Sequence, residues 1–154
     1  MMQENSNKIK ELIKEFFKKT GLSLEVDVKE IEDSTIPVSI KTDDPQLLIG
    51  ERGQTLQEIQ GLIRMVLRRK IETEEHFFVD LDINDYKKKK AEYLKDIARS
   101  AADEVFLSKK DKELPPMSAY ERRMIHMALA GRSDVVTESL GEGIERRVII
   151  KIHP

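Results

Sequence analysis

The sequence contains no cysteine among its 154 residues. Disulfides, thiolate nucleophiles and thiolate metal sites are therefore excluded, and the composition fits a reducing compartment. The first residues, MMQENSNKIK, lack the apolar core of a signal peptide. No uninterrupted apolar run approaches the roughly 20 residues that a membrane-spanning helix needs. We therefore expect a cytoplasmic protein without an integral membrane segment.

The chain also lacks a strong net charge. Its formal charge is -2 at pH 7, so no global positive field indicates a polyanion partner. The two parts differ, because residues 1–83 carry 12 Lys and Arg against 17 Asp and Glu, whereas residues 84–154 carry 15 against 12. Any affinity for nucleic acid must come from local basic patches, and the C-terminal part is the better electrostatic anchor.

Motifs of catalysis and metal binding are missing as well. His76, His126 and His153 have no recognisable metal-ligand spacing, and the sequence has no Walker loop. No serine, histidine and carboxylate set can be assembled from its motifs. The sequence therefore predicts that the protein is not an enzyme, with no catalytic residue, no metal site and no cofactor.

Hydrophobic periodicity predicts an α+β chain. With 39% hydrophobic residues, the sequence is apolar enough to fold, and its patterns favour two small domains. Apolar residues at helical spacing predict a first helix over about residues 6–19. Alternation over residues 22–29 and again at residues 38–40 predicts two strands with one buried face.

Two helices and a strand complete the first part. Pro45 begins a short helix that runs to Gly50. A longer helix follows, in which Thr55 and Glu58 have capping-box spacing. Alternation over residues 77–83 predicts a third strand. The inward stripe of the longer helix is predicted to comprise Leu56, Ile59, Leu62, Ile63, Val66 and Leu67.

The second part is predicted to begin with a helix over about residues 85–107. A charged turn, SKKDKE, ends this helix, and a second helix begins after a capping box formed by Ser118 and Glu121. Gly131 is the predicted C-terminal cap of that helix. A short strand over residues 135–137 and a last strand, RRVIIKI, follow.

A glycine turn stands in the stretch LIGERGQTL, residues 48–56. Alone, a G-x-x-G turn is typical of a connection between two helices. Its position after two strands, together with LIGERGQTLQEIQGLI, resembles a type II KH domain, a three-stranded sheet with helices on one face. In such domains this loop clamps about four backbone nucleotides. The resemblance implies nucleic-acid contacts by Gly50, Glu51, Arg52, Gly53 and Gln54.

The physical basis of such a clamp is the open backbone. Glycine has no Cβ, so a phosphate can approach the main chain, and the following helix presents N–H groups with partial positive charge. Glu51 departs from the usual basic character of these loops, because its carboxylate repels a phosphate that Arg52 attracts. Bases are expected to lie in an apolar groove. Its candidate residues, some of which must instead belong to the core, are Ile49, Leu56, Val38 and Ile40.

A second motif pairs Arg122 with His126, four residues apart on one helix face. The pair could grip one phosphate, with the histidine gaining a proton as pH falls; the alternative is a solvated arginine beside a packed histidine. The run LPPMSAYERRMIHMAL, with VVTESLGEGIERRVIIKI, resembles the domain named for its Arg-x-x-x-His motif, which binds single-stranded nucleic acid. The resemblance implies that the backbone N–H groups at Gly141 and Gly143 bind an anion. Either Arg146 or Arg147 would lie beside that anion.

The joint order of these two domains resembles the bacterial Jag family, also called SpoIIIJ-associated or KhpB-like proteins. It implies a KH domain over residues 1–83 and an Arg-x-x-x-His domain over residues 84–154. The expected function is non-catalytic binding of single-stranded RNA, in post-transcriptional regulation of the cell envelope, elongation and cell shape, or sporulation. Single-stranded DNA stays open as a ligand. The alternative is a protein–protein adaptor in cell-envelope or division control, with a small stand-alone KH protein as partner.

Overall fold

Two hydrophobic cores form along the chain in the computed structural model, which describes residues 2–154. The first core belongs to the unit Met1–Lys87 and the second to the unit Lys88–Pro154. We call these the N-terminal unit and the C-terminal unit. None of the helices in the described residues is both long and apolar enough to span a bilayer.

The N-terminal unit has the predicted order of helix, strand, strand, helix, glycine turn, helix and strand. Its elements are α1 (Ser6–Lys18), β1 (Glu25–Val28), β2 (Thr35–Lys41), α2 (Pro45–Ile49), a 3-10 turn (Glu51–Gly53), α3 (Gln54–Ile71) and β3 (Phe78–Ile83). The strands lie in the order β1-β2-β3. β1 is antiparallel to β2, and β2 is parallel to β3.

Alternation along β2 and β3 builds the core of this unit. Every second residue from Ile36 to Ile40 and from Val79 to Ile83 is buried, as expected for strands with one covered face. The same core contains one stripe from each long helix, comprising Ile9, Ile13 and Phe17 of α1 and Leu56, Ile63 and Leu67 of α3. The glycine turn therefore connects α2 to a helix that is packed along the sheet.

Several sequence predictions for this unit are wrong. Leu62 is 47% exposed, because the inward stripe of α3 passes through Ile63 and Leu67 instead. The proposed capping box at Thr55 does not form, since α3 begins at Gln54 after Gly53, and no side chain caps it. The first strand is shorter than predicted and begins at Glu25.

The predicted groove for bases is also corrected by the structure. All four candidate residues belong to the hydrophobic core. They alternate on the inner face of β2 or lie on the inward sides of α2 and α3, so none is accessible to a base. Their exposed fractions are at most 6%: Val38 1%, Ile40 1%, Ile49 6% and Leu56 1%.

The C-terminal unit packs two helices with a three-stranded sheet. Its elements are α4 (Tyr86–Ser108), which begins just before the boundary, β4 (Lys112–Glu113), α5 (Ala119–Leu129), β5 (Val135–Leu140), a 3-10 turn (Gly143–Glu145) and β6 (Arg147–Ile152). The strand order is β4-β6-β5, and both pairings are antiparallel. Its core joins small residues of α4, such as Ala98, to Ile125 of α5 and Val148 of β6.

The start of α5 confirms the predicted capping box, and its end corrects a prediction. The backbone N–H of Glu121 donates to the Ser118 hydroxyl at 3.2 Å, and the N–H of Ser118 donates to the Glu121 carboxylate at 2.7 Å. The C-cap of the helix is Ala130, in right-handed conformation, and Gly131 has no positive φ. Gly131 is therefore not the left-handed cap that the sequence suggested.

Two strands of this unit differ from the predictions. β4 lies within the stretch predicted as a charged turn and pairs with Ile149 and Ile150 of β6. β5 extends to Leu140 and pairs with the whole of β6. The ESLGEG segment is therefore partly strand, and the loop of the β5–β6 hairpin is confined to residues 141–146.

Candidate nucleic-acid interface

The glycine turn of the N-terminal unit requires glycine at both ends. Gly50 has φ 71° and ψ -175°, a region that is essentially restricted to glycine. A Cβ at this position would lie 2.1 Å from Oγ1 of Thr55. Gly53 has φ 78°, and a Cβ there would lie 3.1 Å from the Tyr86 ring. The glycines are thus needed to form the turn itself, whatever the turn binds.

The two middle residues of the turn point their charges into solvent. Glu51 and Arg52 are both exposed, and Arg52 has a left-handed backbone with φ 55°. The turn is closed by a long hydrogen bond of 3.4 Å from the Gly53 N–H to the Gly50 carbonyl. Opposite charges at neighbouring positions give the turn little net attraction for an anion from its side chains.

The backbone after the turn offers more to an anion than its side chains do. No side chain caps the N-terminus of α3, where the first N–H groups of a helix lack helical acceptors and carry partial positive charge. Gln54 is exposed, and its side-chain amide donates to Glu58 at 3.3 Å. The N–H groups of Gly50, Gly53 and Gln54 donate to the carbonyls of Gln46, Gly50 and Glu51, and Gly53 is buried, so the uncapped N-terminus of α3 offers an anion chiefly its partial positive charge.

In the C-terminal unit, both ring nitrogens of His126 contact hydroxyls of β5. Nδ1 lies 2.7 Å from Oγ1 of Thr137, and Nε2 lies 3.0 Å from Oγ of Ser139. A neutral imidazole has one donor and one acceptor nitrogen. One hydroxyl therefore donates to the ring, and the other accepts from it and keeps its own proton for a further acceptor.

The charge state of this histidine is biased towards neutral. Burial lowers the pKa of His126, and the nearby Arg122 guanidinium lowers it further. The sequence suggested a ring that gains a proton at mildly acidic pH and grips phosphate directly. The structure instead commits both nitrogens to hydroxyls, which are on alternate positions of one strand face.

Within residues 2–154, Arg122 differs from His126 in that its guanidinium has no hydrogen-bond partner. It is half-buried one helical turn before His126, and its guanidinium forms no hydrogen bond or ion pair within residues 2–154. Arginine carries five N–H donors and stays charged at all ordinary pH values. A permanently charged group of this kind, whose N–H donors are unused, is suited to bind an anion.

The hairpin loop lies at the same end of the unit as the start of α5. The N–H of Met117, just before α5, donates to the carbonyl of Arg146 at 3.1 Å. Gly141 has φ 82°, and a Cβ there would lie 2.9 Å from the Glu145 carbonyl oxygen. Gly143 has φ 57° and open space around it. The structure therefore brings the predicted glycines to the end of the unit where α5 begins.

The two arginines after this loop have different environments. Arg147 donates from Nε to the Glu113 carboxylate at 2.7 Å and from a terminal nitrogen to the Glu145 carbonyl at 3.3 Å. Arg146 is exposed and makes only a long contact of 3.5 Å with the Gly141 carbonyl. Of the two alternatives left open by the sequence, Arg146 has the guanidinium that is freer to receive a ligand.

The position of α5 depends on a buried ion pair that the sequence did not reveal. Lys90 of α4 contacts the Glu121 carboxylate at 2.8 Å, and both side chains are largely buried. Burial raises the pKa of Glu121, but the hydrogen bonds from Lys90 and Ser118 outweigh it, so the net pKa is lowered. The carboxylate therefore stays ionised and ties the start of α5 to α4.

Thr137 and Ser139 are the other residues of the site that sequence reasoning missed. Both belong to the run VVTES, in which hydroxyl residues alternate with Val136 and Glu138. Such spacing places two hydroxyls on one face of a strand. Only the packing of β5 against α5 shows that this face meets His126.

The lowered pKa of His126 makes the stability of the C-terminal unit sensitive to pH. As pH falls below about 6.5, the ordinary value for histidine, the unfolded chain binds a proton that the folded ring resists. The stability that the neutral His126 ring contributes above that pH is then lost as the pH falls towards the pKa of His126 in the folded state. Between pH 7.5 and 5.5, the urea midpoint of this unit should fall more in the wild type than in His126→Gln.

The midpoints should be measured by NMR at fixed ionic strength, from the amide resonances of buried residues such as Ala98. His153→Gln is the matched control, because His153 is exposed and this variant should keep the wild-type pH response. An equal fall of the midpoint in wild type and His126→Gln would contradict a neutral, packed His126.

Comparison with known proteins is consistent with this geometry. Residues 92–151 match the family model of the domain named for its Arg-x-x-x-His motif. The chain is 35% identical over 143 residues to the RNA-binding protein KhpB of Clostridium symbiosum, covering 92% of this chain and 64% of that relative. It is 36% identical over 118 residues to the protein of the same name from Bacillus subtilis, covering 75% of this chain and 56% of that relative.

A third relative, RNA-binding protein KhpB of Lactiplantibacillus plantarum, is 33% identical over 135 residues, or 88% of this chain and 41% of that protein. The chain thus spans less than two thirds of the length of each of these curated relatives. The family-model match and the relatives together support an assignment to the Jag, or KhpB-like, family.

Proposed function

We propose that this chain is a member of the Jag, or KhpB-like, family that binds single-stranded RNA without catalysis. The three relatives are named as RNA-binding proteins, and the match to the Arg-x-x-x-His domain covers most of the C-terminal unit. RNA is preferred to single-stranded DNA on the strength of those names. Two anion-receiving places, one in each unit, supply the physical basis.

The N-terminal unit is proposed to be a type II KH domain over residues 1–83. Its mixed three-stranded sheet, the two long helices in one core and the glycine turn between α2 and α3 support this assignment. Residues 84–154 are proposed as the single-stranded nucleic acid-binding domain. In the first domain the RNA backbone would contact Gly50, Glu51, Arg52, Gly53 and Gln54, attracted by the Arg52 guanidinium and by the partial positive charge at the N-terminus of α3.

The observation that carries the proposal is the unpaired guanidinium of Arg122. Arg122 is half-buried and has no acidic partner among residues 2–154, so its positive charge is available to an external anion. Its place is one turn before His126 and at the end of the unit that holds the hairpin loop. A phosphate of the RNA backbone would supply the missing negative charge and accept two parallel N–H bonds.

The other predicted residues of the second domain have distinct roles in this proposal. Gly141 and Gly143 open the loop backbone to the same strand of RNA, and Arg146 adds a flexible cation. Arg147 shapes the loop through its bonds to Glu113 and Glu145. His126 acts through Thr137 and Ser139, because the hydroxyl that accepts from the ring can donate its own proton to a phosphate or ribose oxygen.

Two weak contacts on one chain strengthen each other, because binding at one place raises the effective concentration of RNA at the other. The cellular role proposed is cytoplasmic and post-transcriptional, in control of the envelope, elongation or sporulation, with a small KH protein as partner. An adaptor role in envelope or division control is the competing function. RNA binding that is indifferent to both Arg122 and Gly53 would favour that competitor.

Replacement of Arg122 by alanine should weaken RNA binding about equally for different sequences, because a phosphate contact carries no base information. The loss of one charged contact should be on the order of ten-fold in affinity. The dependence of log K on log salt should become shallower by about 0.7. Dissociation constants for two unrelated single-stranded RNAs at several salt concentrations would measure both quantities.

Arg123→Ala is the matched control, since Arg123 is the next residue and is exposed. It should change affinity much less than Arg122→Ala. A loss confined to one RNA sequence would place Arg122 on a base edge, and an equal effect of both variants would remove its special role.

The glycine turn is tested by replacing Glu51 and Arg52 together with aspartate. Both side chains are exposed, so the melting temperature should change little, whereas two carboxylates should repel phosphate and weaken RNA binding at least several-fold. Lys29→Asp makes the same change of net charge at an exposed position outside the turn. Unchanged affinity in the double variant, or an equal loss in Lys29→Asp, would contradict a phosphate seat at this turn.

A further inference from the structure

A groove of about 420 Å³ opens between α1 and β1 in the N-terminal unit. Phe17 forms its buried base, Leu24 and Val26 form one wall, and Leu22 is 38% exposed at its rim. Lys14 and Lys18 of α1 line the opposite side. The groove shares no residue with the glycine turn, so it is not needed for the RNA contacts proposed above.

One wall of the groove is the open edge of a sheet. β1 is the terminal strand in the order β1-β2-β3. The Lys29 N–H donates to the Pro37 carbonyl at 3.0 Å, and antiparallel bonding alternates from there along the strand. Glu25 and Asp27 therefore bond to β2, whereas the N–H and C=O groups of Val26 face outwards from the sheet.

Val26 presents both a hydrogen-bonding edge and an apolar side chain. Leu24 and Val26 line the groove, and within β1 the main-chain groups of Val26 face the open edge because residues alternate along an antiparallel strand. A strand added to β1 would satisfy these groups. Every second side chain of the added strand would then enter the apolar groove.

The other wall carries a row of lysines at helical spacing. Lys10 lies at one end, where its ammonium contacts the Glu30 carboxylate at 2.9 Å. Lys14 and Lys18 continue the row beside the groove, and neither forms an ion pair in the part of the chain that the structure describes. The edge of β1 thus faces apolar surface and two unpaired positive charges.

We infer that this groove binds an extended acidic peptide segment of another protein, which adds to β1 as a further strand. Main-chain bonds would go to Val26 and its neighbours, apolar side chains would cover Phe17 and Leu22, and carboxylates would meet Lys14 and Lys18. The partner is therefore recognised by apolar and acidic residues that share one face of its strand, at every second position.

Two other occupants fit these charges less well. A second copy pairing through β1 would bring the exposed Glu25 and Asp27 of both copies together, and like charges across a strand pair are destabilising. A nucleic acid would meet the same two carboxylates near its phosphates. An acidic peptide avoids both conflicts, because its carboxylates point towards α1, on the groove side of β1.

The test uses the full chain labelled with ¹⁵N and two capped peptides of equal length. In both peptides threonine occupies every second position, so the positions between share one strand face; these alternate valine with aspartate in the first peptide and valine with lysine in the second. Addition of the first should shift the amide resonances of Leu24, Val26, Lys14 and Lys18, and the second should bind at least ten-fold more weakly. Equal binding of the two peptides, or no shift in this region at millimolar peptide, would overturn the inference.

Variants separate charge from main-chain pairing. Lys14→Glu with Lys18→Glu should weaken the aspartate peptide at least ten-fold, whereas the control Lys8→Glu with Lys70→Glu, at exposed positions outside the groove, should leave its affinity unchanged. Val26→Pro removes an outward N–H without removing a bond to β2 and should also weaken binding. The lysine variants test the inference if the proline variant fails to fold.

Two further measurements would identify a competing occupant of the groove. A β1-mediated dimer in sedimentation equilibrium, abolished by Val26→Pro, would assign the edge to a second copy and overturn the inference. A single-stranded oligonucleotide that binds the groove and is lost in the double lysine variant, without binding of the aspartate peptide, would overturn it in favour of nucleic acid.

Discussion

The buried carboxylate of Glu121 determines how the C-terminal unit presents the residues proposed to bind RNA. It accepts from Lys90 at 2.8 Å and from the Ser118 backbone at 2.7 Å, and it is 9% exposed. A buried charge is stable only with such partners. Because Lys90 belongs to α4 and Ser118 caps α5, this one group fixes the start of α5 against α4; the next residue, Arg122, has no ion-pair partner among residues 2–154.

The remaining geometry of that unit follows from the fixed helix. His126 lies one turn after Arg122, where it meets the hydroxyls of Thr137 and Ser139. The hairpin between β5 and β6 is held near the start of the same helix by the bond between Met117 and Arg146. In the N-terminal unit the proposed anion site is built differently, from a turn with glycine-only backbone angles at Gly50 before an uncapped helix.

The sequence predicted the order of elements well because their signals are local. Alternation along β2 and β3, the stripe of α1 and the capping box of α5 are all visible within a few residues. Predictions failed where distant contacts decide. Val38 and Leu56 have the same local signal whether they face a groove or a core, and only the packing of α3 on the sheet buries them.

Local sequence patterns did not predict the short, charged strand or the partners of individual side chains. β4 has only two residues, Lys112 and Glu113, and is a strand because β6 offers an edge for pairing. The sequence analysis named candidate site residues in α5 and in both glycine loops, but not Lys90, Thr137 or Ser139, which reach the site from other elements. The difference between Arg146 and Arg147 likewise depends on Glu113, a residue far away in the sequence.

We propose that one RNA strand is bound at the glycine loops of both units. An NMR titration of the full ¹⁵N-labelled chain with a short oligouridylate at low salt would show whether it is. The amide resonances of Gly50, Gly53 and Gln54 should shift together with those of Gly141 and Gly143, and the shifts should reverse as salt is added. Shifts confined to other surfaces, with both glycine loops unchanged at saturation, would contradict it.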